Sequence, residues 1–481
     1  MKLSQTIFQR KFSFVAYKNL KLTLAQSTFS KDFVHTDRGD LYPVIEKSEG
    51  AQELVEENAY FVKNGKVKRF FAAFFPYATY ELSATLKKGT AGFCFSFPNN
   101  RASICVTKRT LSYSFEERKE VLPLPKFVKS DFTLIVTCRP YAFDVYFFHQ
   151  GKAELFHSFQ DERLKDTNVY DCFSKSSVLF EIDGNAKIKN ATSYLDSGVS
   201  LADMRTVRYE NGEVMVENGK VYFTASIRME AGGFQGVFSW IPTTSEFSLV
   251  GALFYDGGDH RWCGDVAASV LYHREKKLWY LWVCSFFHDH ILGSASFEGD
   301  PRFGVNVVDI RLMEKADEGD SVTEFKGFCG DEDPDFYFDE NDGKWKMAIC
   351  RLQPQNGKYR YQFFQSDEPL RGYTYIGSGL DGEETGGSFV EFEGERYFVC
   401  GNSFFQKSDY RIYGKEGIEN AKFDYPDGGF RGWGTIVPVK IGTRKRYFWL
   451  TFDRHGGSDY TWSYGSLYCF EAEQNNERLS R

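Results

Sequence analysis

From about residue 75 to 195 the chain alternates apolar or aromatic positions with polar ones over short runs, and turn residues separate the runs. TYELSATL, GFCFSF, SICVTK, FTLIVTC, FDVYFFHQGK and SVLFEI each have the period of a half-buried strand. Strands this short and this evenly spaced predict an antiparallel β-sandwich. A linker is expected near YLDSGVSLAD, which sets residues 1–195 as a first domain and 196–475 as a second.

The second part repeats itself. Five segments share one form, an apolar strand, a tight turn and an aromatic-rich strand: VMVENGKVYFTAS from Val214, VLYHREKKLWYLWVCSF from Val270, FYFDENDGKWKMAIC from Phe336, FVEFEGERYFVCGN from Phe389 and IVPVKIGTRKRYFWLTF from Ile436. Their starts lie 47 to 66 residues apart, enough for one four-stranded unit each. Asn218-Gly219 and Asp342-Gly343 are strong hairpin signals. The fold class expected is all-β: an N-terminal β-sandwich (jelly roll) followed by a five-bladed β-propeller.

Composition narrows the function. Phe (48) and Tyr (28) are abundant, which suits sheets. A formal charge of −7 argues against nucleic acid or an anionic membrane as partner. The first residues carry charges every few positions and no apolar leader core, and the ten cysteines contain no CxxC pair. Reduced thiols in a cytoplasmic protein are expected. No phosphate loop, nucleophile elbow or HExxH occurs, so neither a cofactor nor a metal is expected. His288 and His290, two apart in FFHDHIL, could hold a metal or contact substrate at a rim, but no third ligand is evident.

In a propeller the residues just before each innermost strand face a shared funnel. Three of the repeats carry carboxylates there: Glu210 and Glu213 in the first, Asp333 and Asp335 in the third, Glu383 and Glu384 in the fourth. Three carboxylates in one funnel suit glycoside cleavage. One acid protonates the leaving oxygen, a second carboxylate attacks or activates water, and a third raises the acid's pKa. Asp265, Arg261, Trp262 and Trp433 sit at blade ends, together with Asp335 and Glu383, as candidate sugar-binding groups.

EDPDFYFDENDGKWKMAI resembles the Asp-Pro segment of the third blade in five-bladed propeller glycoside hydrolases, families 32 and 68 together with 43 and 62. Glu332 stands where family 32 has an Arg. Counting back nine residues from Gly219 lands on Glu210, which the resemblance matches to the nucleophile or base. Glu384-Thr385-Gly386-Gly387-Ser388-Phe389 matches the acid-bearing run of the fourth blade, without its proline. TLIVTCRPYAFDVYFFHQGKAELF resembles the hairpin core of laminin-G or concanavalin-like sandwiches. The resemblance implies an exo-acting glycosidase on short oligosaccharides such as fructosides, arabinofuranosides or xylosides, with Glu384 as acid, Asp333 beside it and Glu210 as base or nucleophile. Transglycosylation, phosphorolysis and non-catalytic glycan binding on the same fold are the alternatives. The substrate is then a small oligosaccharide, and a homo-oligomer is possible.

Overall fold

Asn218 (φ 51°) and Gly219 (φ 73°) both occupy the left-handed region and join Val216–Glu217 to Lys220–Arg228 through the two-residue turn that matches strand twist. Asp342-Gly343 differs: Asp339 pairs with Lys344, so the loop holds four residues and only Gly343 (φ 68°) is left-handed. Such hairpins build every sheet of the computed structural model, which describes residues 2–16, 18–27, 29–30, 33, 42–230, 232–316, 325–380, 384–401, 410–424, 430–453 and 466–472. It divides into two compact units. One comprises residues 1–20, 197–259 and 263–481, the other 21–196 and 260–262.

The first unit is a five-bladed propeller. Blade one runs outward from Ser200–Thr206 through Lys220–Arg228 and Gly233–Ile241 to Glu246–Asp256; blade two runs from Val266–His273 through Leu278–Ser285 to Ile291–Phe297. Asp331–Asp339 opens blade three and Thr385–Phe392 blade four, each a four-stranded meander. Apolar clusters fill the space between neighbouring blades. Val237 and Leu253 meet Val270 and Leu281; Leu271 and Trp282 meet Phe336 and Met347; Ala348 and Tyr361 meet Phe398 and Cys400. Strands with both faces covered by neighbours are apolar on both, which explains runs such as LWYLWVCS.

Blade five is composite. Its inner strands are Phe430–Ile441 and Arg444–Asp453, followed by Ser466–Ala472, and its next strand is Ile7–Val15 from the other end of the chain. Phe8 pairs with Ala472 and Val15 with Ser466, antiparallel throughout, and Phe8 packs against Phe392 and Trp449 in the core between blades four and five. The first twenty residues therefore belong to the propeller and not to the sandwich, a correction to the 1–195 boundary. Their alternation reads equally as a strand of either sheet. The expected linker shrinks to 197–199, because YLD ends the strand Ser177–Asp196 and SLAD begins blade one's inner strand.

In the second unit the strands Thr79–Ser96 and Ser177–Asp196 pair along most of their length and pass through two leaves. Residues 79–85 pair with Asp131–Arg139 in one leaf, and 91–96 with Arg101–Val106 in the other. The crossing falls where Gly89 (φ 88°) faces Gly184 (φ 118°); a Cβ on Gly89 would lie 1.8 Å from the Asp183 carbonyl oxygen. Only glycine satisfies both the conformation and the space there. Tyr113 of one leaf stacks on Phe159 of the other at 4.4 Å, and Phe95 packs at a tilt against Phe143 at 4.6 Å, so the leaves face each other as a sandwich.

No disulfide forms among the ten cysteines, and most are buried in strands. All ten should titrate with a thiol reagent in the denatured, non-reduced protein; a smaller stoichiometry would show pairing.

Candidate active site

Each inner strand of the propeller carries a bulge at its axial end, between Ala202 and Arg205, Val266 and Ser269, Glu332 and Asp335, Thr385 and Ser388, and Arg431 and Gly434. The first bulged residue is left-handed in four of them: Asp203 (φ 54°), Ala267 (φ 58°), Asp333 (φ 46°) and Gly386 (φ 62°). A bulge turns a side chain that would otherwise lie in the ladder, and Asp tolerates the left-handed region better than most residues. Two blades place an aspartate at this position. Both point into one cavity of about 320 Å³, lined also by Arg228, Glu332, Phe286, Phe287 and Thr385.

Asp333 is 5% exposed. Its Oδ2 accepts from the Thr385 hydroxyl and the Gly386 N–H, each at 2.9 Å, and its Oδ1 lies 4.0 Å from Arg205 Nη2. Burial, and after it the charge of Asp203, push its carboxyl up to about 6 against the opposing pull of Arg205. Asp203 Oδ2 lies 3.3 Å from Arg228 Nη2. Glu332 Oε1 accepts from the Tyr359 hydroxyl at 2.9 Å and lies 3.0 Å from His290 Nε2. The His290 ring in turn sits 4.2 Å from Phe286. Phe286 and Phe287 remain 46% and 43% exposed, two aromatic faces at a polar pocket. Arg205 is fully buried; Nη1 donates to the Met204 carbonyl, while Nε and Nη2 have no hydrogen-bond partner among the described residues. Its charge faces Asp333, Asp335 and Asp203, so it holds the acidic centre together electrostatically.

The structure does not bring Glu210 to this pocket. Its Oε1 accepts from both Arg274 Nε (2.9 Å) and Nη2 (2.7 Å) and its Oε2 from the Arg274 N–H, which holds the carboxylate below its usual range despite burial. Glu213 is exposed beside the same arginine. The nine-residue count failed because the Asn218-Gly219 hairpin is an extra one that follows the inner strand, so the blade-one position falls on Asp203. Glu384 also does not line the pocket. It is fully buried and takes bonds from Arg411 Nη1 (2.8 Å), the Tyr413 hydroxyl and the Tyr361 N–H (3.2 Å). Its neighbour Thr385 is what blade four contributes to the site.

Among the proposed sugar-binding groups, Asp335 is fully buried and bound by Arg208, Ser269 Oγ (2.7 Å) and the Phe389 N–H (2.6 Å). It is a tie between blades and does not line the pocket. Asp265 is buried behind the pocket wall, accepting from Ser285 Oγ at 2.6 Å, and burial pushes its carboxyl up to about 6. Arg261 and Trp262 belong to the sandwich unit: Arg261 donates to Asp166 and Asn168, and Trp262 packs on Phe173 at 4.5 Å. Neither lines the pocket. Glu383 lies outside the described residues, as does the side chain of Trp433. Sequence reasoning missed Asp203 because SLAD read as linker; the signal available was an aspartate interrupting an apolar run two residues before an arginine.

No family profile and no curated protein matches this chain. Among solved structures, a GH43 β-1,3-galactosidase bound to galactodeoxynojirimycin is similar, with a TM-score of 0.39 and 11% identity over 56% of this chain and 94% of that one. An exo-β-1,3-galactanase from Phanerochaete chrysosporium with galactose gives 0.38 and 8% over 56% of this chain; the match spans 62% of that protein's length. The carbohydrate-binding module CBM66 from Bacillus subtilis gives 0.23 and 14% over 32% of this chain and 94% of that one. Likenesses this distant assign no activity to the chain.

Proposed function

We propose that the chain hydrolyses glycosides at the propeller pocket, with Asp333 as general acid and Asp203 as the carboxylate that attacks the anomeric carbon or activates water. The observation that carries this reading is the convergence of Asp203, Glu332 and Asp333 on one cavity, two of them from matching bulges on different blades. Glycoside cleavage needs two carboxyls whose proton affinities are pushed apart. Asp333 is pushed up to about 6 by burial and by Asp203, which suits proton donation to a leaving oxygen. Glu332 then accepts hydrogen bonds from sugar hydroxyls, and Phe286 and Phe287 offer faces for a sugar ring. A cavity of about 320 Å³ is small for a ligand site, which favours removal of one terminal sugar from a short oligosaccharide. Ten thiols without a disulfide among them suit a reducing cytoplasm.

The test is a panel of fructosides, arabinofuranosides, xylosides and β-1,3-galactosides, with product anomers followed by proton NMR. Turnover of one class that Asp203→Asn lowers by at least about 10²-fold supports the reading. Saturable binding of an oligosaccharide without turnover would replace it with glycan binding.

A further inference from the structure

Directly behind the pocket wall formed by Gly264, Phe286 and Phe287, three side chains of different chemistry converge. The Cys263 thiol, an Asp265 carboxylate oxygen and an imidazole nitrogen of His288 lie within 4.8 Å of one another. Cys263 and Asp265 are completely buried, and the His288 side chain is 17% exposed. Cys263 and Asp265 lie two apart, just before the strand Val266–His273. His288 arrives from the turn after Leu278–Ser285. We propose that Cys263, Asp265 and His288 bind one zinc ion, and that the half-exposed Asp259 side chain, outside this cluster, turns in as the fourth ligand.

The donor set selects the metal. Zinc takes sulfur, nitrogen and oxygen ligands in a tetrahedron, whereas calcium and magnesium take oxygen and do not favour a thiolate. The hydrogen bonds also prepare the histidine. The Ser285 hydroxyl donates its one proton to Asp265 Oδ2 at 2.6 Å, so at its 2.8 Å contact with His288 Nδ1 it must accept. Nδ1 therefore carries the ring proton and Nε2 keeps its lone pair. That is the arrangement of a metal-ligating histidine whose other nitrogen is fixed by an outer partner. Asp259 Oδ2 lies 3.8 Å from this Nε2. Gly257 leaves the ring its place: a Cβ there would come within 2.7 Å of Nε2. Asp265 keeps lone pairs beyond those taken by Ser285 and the Phe287 N–H, and a dication would neutralise a carboxylate that burial otherwise disfavours.

Four protein donors leave no open position, so the ion is structural. It clips Asp259 and the segment Cys263–Asp265 to 285–288 and thereby fixes the wall that carries Phe286 and Phe287. This inference does not depend on the glycosidase reading.

The experiment titrates the full-length, chelator-stripped protein with Zn²⁺ and, separately, with Co²⁺. One equivalent of zinc should bind and raise the melting temperature. Cobalt should give the intense visible bands of a tetrahedral site and a near-ultraviolet thiolate charge-transfer band. Cys263→Ser should abolish that band, and His288→Ala and Asp259→Asn should weaken zinc at least tenfold. Cys329→Ser, at an exposed cysteine, should change nothing. Asp259→Asn alters a half-exposed side chain and keeps the test decisive if the buried variants do not fold. Absence of stoichiometric binding, absence of the charge-transfer band in the unaltered protein, or undiminished affinity in Asp259→Asn and His288→Ala would overturn the proposal.

Discussion

Asp203→Asn and Asp333→Asn each lower kcat/KM by about 10²–10⁴-fold on unactivated glycosides, the range a general acid or base supplies. The pH profile separates their roles. With Asp333 as acid at about 6, the alkaline limb of kcat/KM falls through that pH as the proton is lost. Asp203→Asn removes a negative neighbour that raises Asp333, so the alkaline limb of the residual activity moves to lower pH. Asp333→Asn removes that limb, and its loss is smaller on aryl glycosides with good leaving groups, which need little protonation. Glu210→Gln, at a carboxylate engaged by Arg274, leaves kcat/KM within a few-fold. If Glu210→Gln instead matched Asp203→Asn in its loss, the assignment would pass to Glu210.

Arg208→Ala destabilises the propeller by about 3–5 kcal/mol, the usual loss when one partner of a buried ion pair is removed. The reason is connectivity. Arg208 Nη1 donates to the Phe389 carbonyl of blade four at 3.0 Å, and Nη2 reaches Ser269 of blade two and Asp335 and the Phe336 carbonyl of blade three. Its deletion leaves Asp335, fully buried, with Ser269 and the Phe389 N–H as hydrogen-bond donors and with the charge of Arg205 shared among Asp203, Asp333 and Asp335. Urea denaturation monitored by tryptophan fluorescence measures the loss. A change below about 1 kcal/mol, the size expected of an exposed pair, would show that Arg208 carries no such weight.

The propeller was legible because each repeat pairs an apolar strand with a turn and an aromatic strand, a local signal that survives without knowledge of partners. The third-blade acids were legible for the same reason: EDPDF stands directly before a strand whose core residues, Phe336 and Met347 across the hairpin, announce themselves. Blade one was not. Its inner strand holds only seven residues, and an additional hairpin at Asn218-Gly219 intervenes before the second strand, so spacing misplaced the carboxylate by seven positions, from Asp203 to Glu210. Glu384 shows the other limit. Arg411 and Tyr413, 27 and 29 residues away, decide what its carboxylate does. Arg261 and Trp262 went astray likewise, since three residues of a loop can join a different unit from the segments on either side of them.

Closure of blade five by Ile7–Val15 has a consequence for biosynthesis. Val15 must wait for Ser466, 451 residues later, before it can pair. At about 5–20 residues per second that is roughly 20–90 s of translation during which an alternating, aromatic-rich edge segment has emerged from the ribosome with no partner. Holdase chaperones that cover unpaired strands should therefore engage the segment Ile7–Val15 once it emerges and release it only after Ser466–Ala472 has been made. Slowing elongation should lower the soluble yield, the opposite of what helps a protein whose domains close in the order they are made.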